Sequence, residues 1–120
     1  MPELPPPLEL ECLKSLWRLE QASVHDVRDD IAAGGRELAY TTVMTLLDRL
    51  ARRGAASRIR SGRAFLYRPV LTRDEARTLA LEELVATHFG GSHDALRAYL
   101  AGAEPEPPIP SSENLDITLL

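Results

Sequence analysis

The strongest constraint in this chain is a helical stripe that runs directly into a hairpin. In YTTVMTLLDRLARRG, residues 40–54, the apolar positions Val43, Leu46, Leu47 and Leu50 fall on one face of a helix, and Gly54 stops it. The opposite face carries Thr41, Met44, Thr45, Asp48 and Arg52, with Thr42, Arg49 and Arg53 on its flanks. SRIRSGRAFLYRP follows at once. Ser57 to Arg60 and Ala64 to Arg68 read as two short strands around the Ser61-Gly62 turn signal, and Pro69 ends the pairing.

Two helices precede this unit. Residues 8–19 place Leu10, Leu13, Leu16 and Trp17 on one face. Ser23-x-x-Asp26 is a capping box with Asp in place of Glu, and Val24, Val27 and Ile31 continue the stripe to Gly34-Gly35. Two helices follow. Thr72-x-x-Glu75 opens one that runs to about His88, and its Leu79, Leu81, Leu84 and Val85 exceed what one packed face needs. After Gly90-Gly91, Ser92 caps a short helix with Leu96, Tyr99 and Leu100, ended by Gly102. The segment EPEPPIPSS reads as extended chain, and NLDITLL is too short to fold alone.

The expected fold class is therefore mostly α with an α+β wing. A winged helix-turn-helix DNA-binding domain over residues 1–70 precedes C-terminal dimerisation helices over 71–102 and a Pro-rich tail over 103–120. With 120 residues the chain can hold one domain, or one domain plus an appendage.

Charge sharpens the functional reading. The net charge of −4 argues, taken whole, against nucleic acid. Divided along the chain it says the opposite. Residues 1–35 carry 3 basic groups against 7 acids, residues 36–77 carry 10 against 4, and residues 78–120 carry 1 against 7. The blocks are thus −4, +6 and −6. Of the 14 basic residues 13 are Arg, whose planar fork suits phosphate.

In a winged helix-turn-helix the second helix of the pair enters the major groove, here residues 40–53. Thr41, Thr42 and Thr45 offer hydrogen bonds to bases or phosphates, and Met44 offers apolar contact to a thymine methyl. Arg49, Arg52 and Arg53 lie where the helix leaves the groove, and Arg60 and Arg63 stud the wing. Taken singly, an arginine-rich helix end is a solvated face suited to the dipole, and a basic hairpin is a protected sheet edge. Their coincidence within residues 40–68, where seven Arg face one Asp, favours the DNA reading. The alternative is a winged-helix protein–protein interaction module without DNA readout. Such a module is expected to present apolar or acidic groups on this face.

LAYTTVMTLLDRLARRG followed by GRAFLYRP, with Leu16-Trp17 and Phe89-Gly90-Gly91-Ser92, closely resembles the BlaI/MecI/CopY (penicillinase repressor) family of bacterial winged-helix regulators over about residues 8–102. The resemblance implies a transcriptional repressor that binds an inverted-repeat operator as a homodimer. It places Tyr40, Thr41, Thr42, Met44, Thr45, Arg49, Arg52, Arg60 and Arg63 at the DNA, and Leu79, Leu81, Leu84, Val85, Leu96, Tyr99 and Leu100 in the dimer seam. Ala39 stands at the N-cap of the reading helix and caps poorly. A membrane sensor protease is one partner the resemblance suggests. The family's cleavage pair, Asn-Phe, corresponds here to Tyr99-Leu100. The C-terminal cysteine cluster of the copper-responsive branch is absent from this sequence, which disfavours a copper sensor.

No enzyme and no cofactor are expected. Cys12, His25, His88 and His93 fall on four elements without metal-ligand spacing, and Cys12 is expected at the core edge. Ser23, His25 and Asp26 share one helical turn and cannot form a triad. Asp48 and Arg52 are expected to pair at i,i+4. MPELPPP shows neither the basic nor the apolar region of a secretory signal, no apolar run suits a membrane span, and the expected compartment is the cytoplasm.

Overall fold

A computed structural model describes residues 3–102. The order is α1 (Pro7–Leu19), α2 (Val24–Ala33), α3 (Tyr40–Arg52), β1 (Ala56–Ser61), β2 (Ala64–Pro69), α4 (Arg73–His88) and α5 (His93–Leu100). The expected winged-helix class is the observed one. The expected tail, residues 103–120, lies outside the described residues.

Each helix starts where its local chemistry dictates. Pro occupies the first turn of α1, where its missing N–H costs no hydrogen bond. Ser23 Oγ accepts from the Asp26 N–H while the Asp26 carboxylate accepts from the Ser23 N–H, so the Asp version of the capping box closes. Thr72 and Glu75 make the same reciprocal pair at α4, and Ser92 accepts from the Ala95 N–H at α5. Helix α3 has no side-chain cap at Ala39, as its residue type predicts.

The strands form an antiparallel pair from Ala56↔Pro69 to Ser61↔Ala64. Ser61 is the last residue of β1, so the two-residue loop is Gly62-Arg63, one position beyond the expected turn. Gly62 has φ 63° and Arg63 is not in the left-handed region. A positive φ confined to the first central position is the pattern of a II′ hairpin, where Gly is the natural occupant. A bridge that the sequence did not suggest joins Ala22 to Tyr67: each N–H donates to the other's carbonyl, at 3.0 and 2.8 Å. It pins the α1–α2 link to the wing.

The chain divides into two compact units, one ending at Leu81 and the other beginning at Glu82. The division falls inside α4, because Ala76 is buried in the first core and Leu79 packs against it. That core gathers Cys12, Leu13 and Leu16 from α1, Val27 and Ile31 from α2, Val43, Leu47 and Leu50 from α3, and Tyr67 from β2. Cys12 is 0% exposed, which corrects its expected place at the core edge. Its neighbours Leu13 and Leu16 share one inward face of α1 with it, and a thiol packs there as a small apolar group.

Two polar arrangements tie α1 to its neighbours. The Trp17 indole donates to the Leu71 carbonyl at 2.9 Å, holding the chain after the wing. Asp30 on α2 accepts from Ser15 Oγ at 2.6 Å and from Arg18 Nε at 3.0 Å. The Arg18 guanidinium, helped by Ser15, holds the Asp30 carboxyl below the usual carboxylate range against a smaller opposing effect of burial.

In the second unit Val85 and Leu96 are buried, and the Phe89 and Tyr99 rings meet edge-on at 5.7 Å. His93 Nε2 and a Glu82 carboxylate oxygen lie 2.8 Å apart.

Candidate nucleic-acid interface

Helix α3 turns Val43, Leu46, Leu47 and Leu50 into the core, which leaves its other face to solvent. Tyr40, Thr41, Thr42, Met44, Thr45 and Arg49 are all exposed there. Met44 is a large apolar side chain at 42% exposure that the fold does not use. Three threonine hydroxyls and one thioether along the first two turns make a face able to meet base edges.

The N-terminus of α3 has support that the sequence did not disclose. The His25 ring of α2 lies 4.6 Å from the Tyr40 ring, tilted by 43°. This contact braces the first turn of a helix that has no side-chain cap. Proximity of α2 and α3, not residue spacing, creates it.

Arginines surround the C-terminal end of this face. Arg52 Nε lies 2.9 Å from an Asp48 carboxylate oxygen, the expected i,i+4 ion pair. Arg58 Nη1 on β1 reaches the other oxygen of the same carboxylate at 3.5 Å. Asp48 therefore links the helix to the wing. The Arg58 guanidinium also lies over the Phe65 ring at 4.2 Å, and Arg60 shares that ring at 5.5 Å. Arg60 Nε donates to the Gly62 carbonyl at 3.3 Å, and Arg63 is exposed at the turn. The Phe65 ring and the hairpin carbonyl hold Arg58 and Arg60 in place on the exposed wing.

Other arginines of the basic block are engaged elsewhere. Arg53, expected near the DNA backbone, instead donates Nε to Glu9 of α1 at 2.8 Å. Glu9 is only 4% exposed, so an unpaired carboxylate there is costly and Arg53 is committed to it. Arg68 donates to the Gln21 side chain at 2.9 Å. A carboxylate on the inward face of α1 at position 9 was the one signal for the first pairing, and its partner lies on another helix.

The residues expected in a dimer seam divide into two sets. Leu79 packs on the first core, and Val85 and Leu96 are buried within the single chain. Leu81, Leu84, Tyr99 and Leu100 are exposed, the last two at 63% and 73%. Among the described residues no group of three His, Cys, Asp or Glu is placed to hold a metal ion. No described helix is long and apolar enough to cross a membrane.

Comparison with known proteins agrees with this fold. The sequence profile of the penicillinase repressor family matches residues 6–107. This chain belongs to the penicillinase repressor family. It is 41% identical over 90 residues to the transcriptional regulator BlaI of Mycobacterium tuberculosis, in both strain CDC 1551 and strain ATCC 25618 / H37Rv. The match covers 73% of this chain and 64% of those relatives. Among solved structures, the DNA-binding domain of the repressor BlaI superposes with a TM-score of 0.52 at 26% identity, covering 62% of this chain and 93% of that one. The monomeric form of Bacillus licheniformis BlaI, solved in complex with the blaP half-operator, superposes with a TM-score of 0.50 at 26% identity and the same coverage. As a penicillinase repressor family member, the chain carries the winged helix of its relatives.

Proposed function

We propose that this chain is a sequence-specific DNA-binding transcriptional repressor that acts as a homodimer on an inverted-repeat operator. The observation that carries the reading is one continuous surface. The threonine and methionine face of α3 runs into Arg52, and through Asp48 into the arginines of the wing. The solved relative from Bacillus licheniformis, which shares this fold, is in complex with a half-operator, and the BlaI relatives are named as transcriptional regulators.

In this reading the first two turns of α3 enter the major groove. Thr41, Thr42 and Thr45 hydrogen-bond to base edges and neighbouring phosphates, and Met44 meets a thymine methyl. Tyr40 and Arg49 meet the sugar–phosphate chain, Arg52 lies where the helix leaves the groove, and Arg60 and Arg63 grip the flanking backbone from the wing. The exposed Leu81, Leu84, Tyr99 and Leu100 support a seam with a second copy, which places two reading helices on two half-sites. Bound operator then excludes the polymerase. A membrane sensor protease is the releasing partner suggested by the family. Action on the chromosome supports a place in the cytoplasm.

Selection of bound fragments from genomic DNA at physiological salt tests this reading. The expected result is a set of pseudo-palindromic sites whose half-sites are separated by whole helical turns. Recovery of fragments with no shared sequence overturns it.

A further inference from the structure

A surface rich in arginine holds any phosphate chain, whatever its sequence. In this protein one carboxylate stands within that surface. Asp48 is the single acid between residues 40 and 68. One of its oxygens lies 2.9 Å from Arg52 Nε in an ion pair, and the other accepts from Arg58 Nη1 at 3.5 Å. The Arg52 side chain is 80% exposed, and pairs this open add little to the stability of a fold. The core does not use Asp48 either, since it sits on the polar side of α3. Its consequence is at the surface: it pairs by charge with Arg52, accepts one N–H of Arg58, and holds both guanidinium groups beside it.

We propose that Asp48 is a specificity-determining residue of the interface, an inference that rests on the DNA-binding reading above. It acts in two opposed ways. In a loosely docked complex, on any sequence, the carboxylate repels phosphate and competes for Arg52 and Arg58, which lowers sequence-independent affinity. In the correctly docked complex the two forks are already oriented, so less side-chain freedom is lost on binding and the repulsion is offset. The gap between specific and non-specific binding widens, and it widens by weakening the wrong complexes.

The test uses the full chain and two fluorescent duplexes, one recovered by selection from a random pool and one of mixed sequence, titrated from low to physiological salt. Asp48→Asn is expected to bind the mixed-sequence duplex about three- to tenfold more tightly, with a salt slope steeper by about 0.9 for each phosphate gained. Affinity for the selected duplex is expected to change by less than about threefold, so the ratio between the two falls. Asp48→Glu restores the charge and is expected to recover most of that ratio. Thermal melting of both variants checks that the fold is intact. An unchanged salt slope and mixed-duplex affinity in Asp48→Asn overturns the proposal, as does equal tightening on both duplexes. If the unaltered protein binds neither duplex, the DNA-binding reading fails and this proposal fails with it. If the unaltered protein discriminates and Asp48→Asn discriminates equally well, the role of Asp48 alone is overturned.

Discussion

Glu9 on α1 and Arg53 after α3 meet at 2.8 Å, and the carboxylate of that pair is almost wholly buried. The pair joins the first helix to the end of α3 and takes one arginine out of the basic surface. Removing one partner leaves the other without compensation. Arg53→Ala is expected to destabilise the protein by about 2–4 kcal/mol, toward the lower part of the range for buried pairs because Arg53 is one-third exposed. Urea unfolding measures this. Replacing both partners together with Leu and Met is expected to cost much less than Arg53→Ala, and an equal loss counts against the pairing as the cause.

Arg18 and Asp30 predict a pH dependence. The folded carboxyl of Asp30 titrates below its ordinary value because Arg18 donates to it. A depressed carboxyl pKa contributes stability above its unfolded value of about 3.9, and that contribution is lost as pH falls through the folded value. The difference in melting temperature between the unaltered protein and Arg18→Ala is therefore expected to be full at pH 6 and to shrink below about pH 4. A difference that persists unchanged to pH 2.5 assigns the effect to packing of the Arg18 stem.

Cys12 predicts a chemical silence. Burial, followed by the Glu11 and Glu9 carboxylates, pushes its thiol up to about 12. The nucleophile is the thiolate, so at neutral pH the folded protein is expected to react with a disulfide reagent at least about a hundredfold more slowly than in urea. Rapid reaction in the native state indicates that α1 opens locally.

The interface predicts two classes of variant. Arg60→Ala and Arg63→Ala are expected to weaken binding to every duplex alike and to reduce the salt slope by about one each. Thr42→Ala and Met44→Ala are expected to change the preferred sequence, with an affinity loss of about 1–3 kcal/mol on the selected site and little on mixed DNA. Fluorescence anisotropy at several salt concentrations separates the classes. Identical behaviour of both sets removes the assignment of base reading to α3.

The positions of the helices were legible because their causes are local. The stripe Val43, Leu46, Leu47, Leu50 and the reciprocal boxes at Ser23-Asp26 and Thr72-Glu75 each lie within a few turns of chain. The same holds for the i,i+4 pair Asp48–Arg52 and for the exposed polar face of α3. The hairpin was legible to within one residue at its turn, since Gly62 alone takes the positive φ there. Other features depend on residues distant in sequence. Trp17 and Leu71 are 54 positions apart, and Gln21 and Arg68 are 47 apart. No periodicity reports which of many polar groups will meet across such a separation.

The sequence by itself determined the order of elements, their caps and the concentration of positive charge in the middle of the chain. These follow from side-chain pattern, backbone preference and net charge, each a property of neighbouring residues. Only the tertiary structure decided which arginines are available to a partner. Packing α1 against α3 commits Arg53 to a buried carboxylate, and pairing β1 with β2 brings Phe65 beneath Arg58 and Arg60. A guanidinium carries the same charge in every environment. What it can bind depends on which of its N–H groups are already engaged, and only the packed chain settles that.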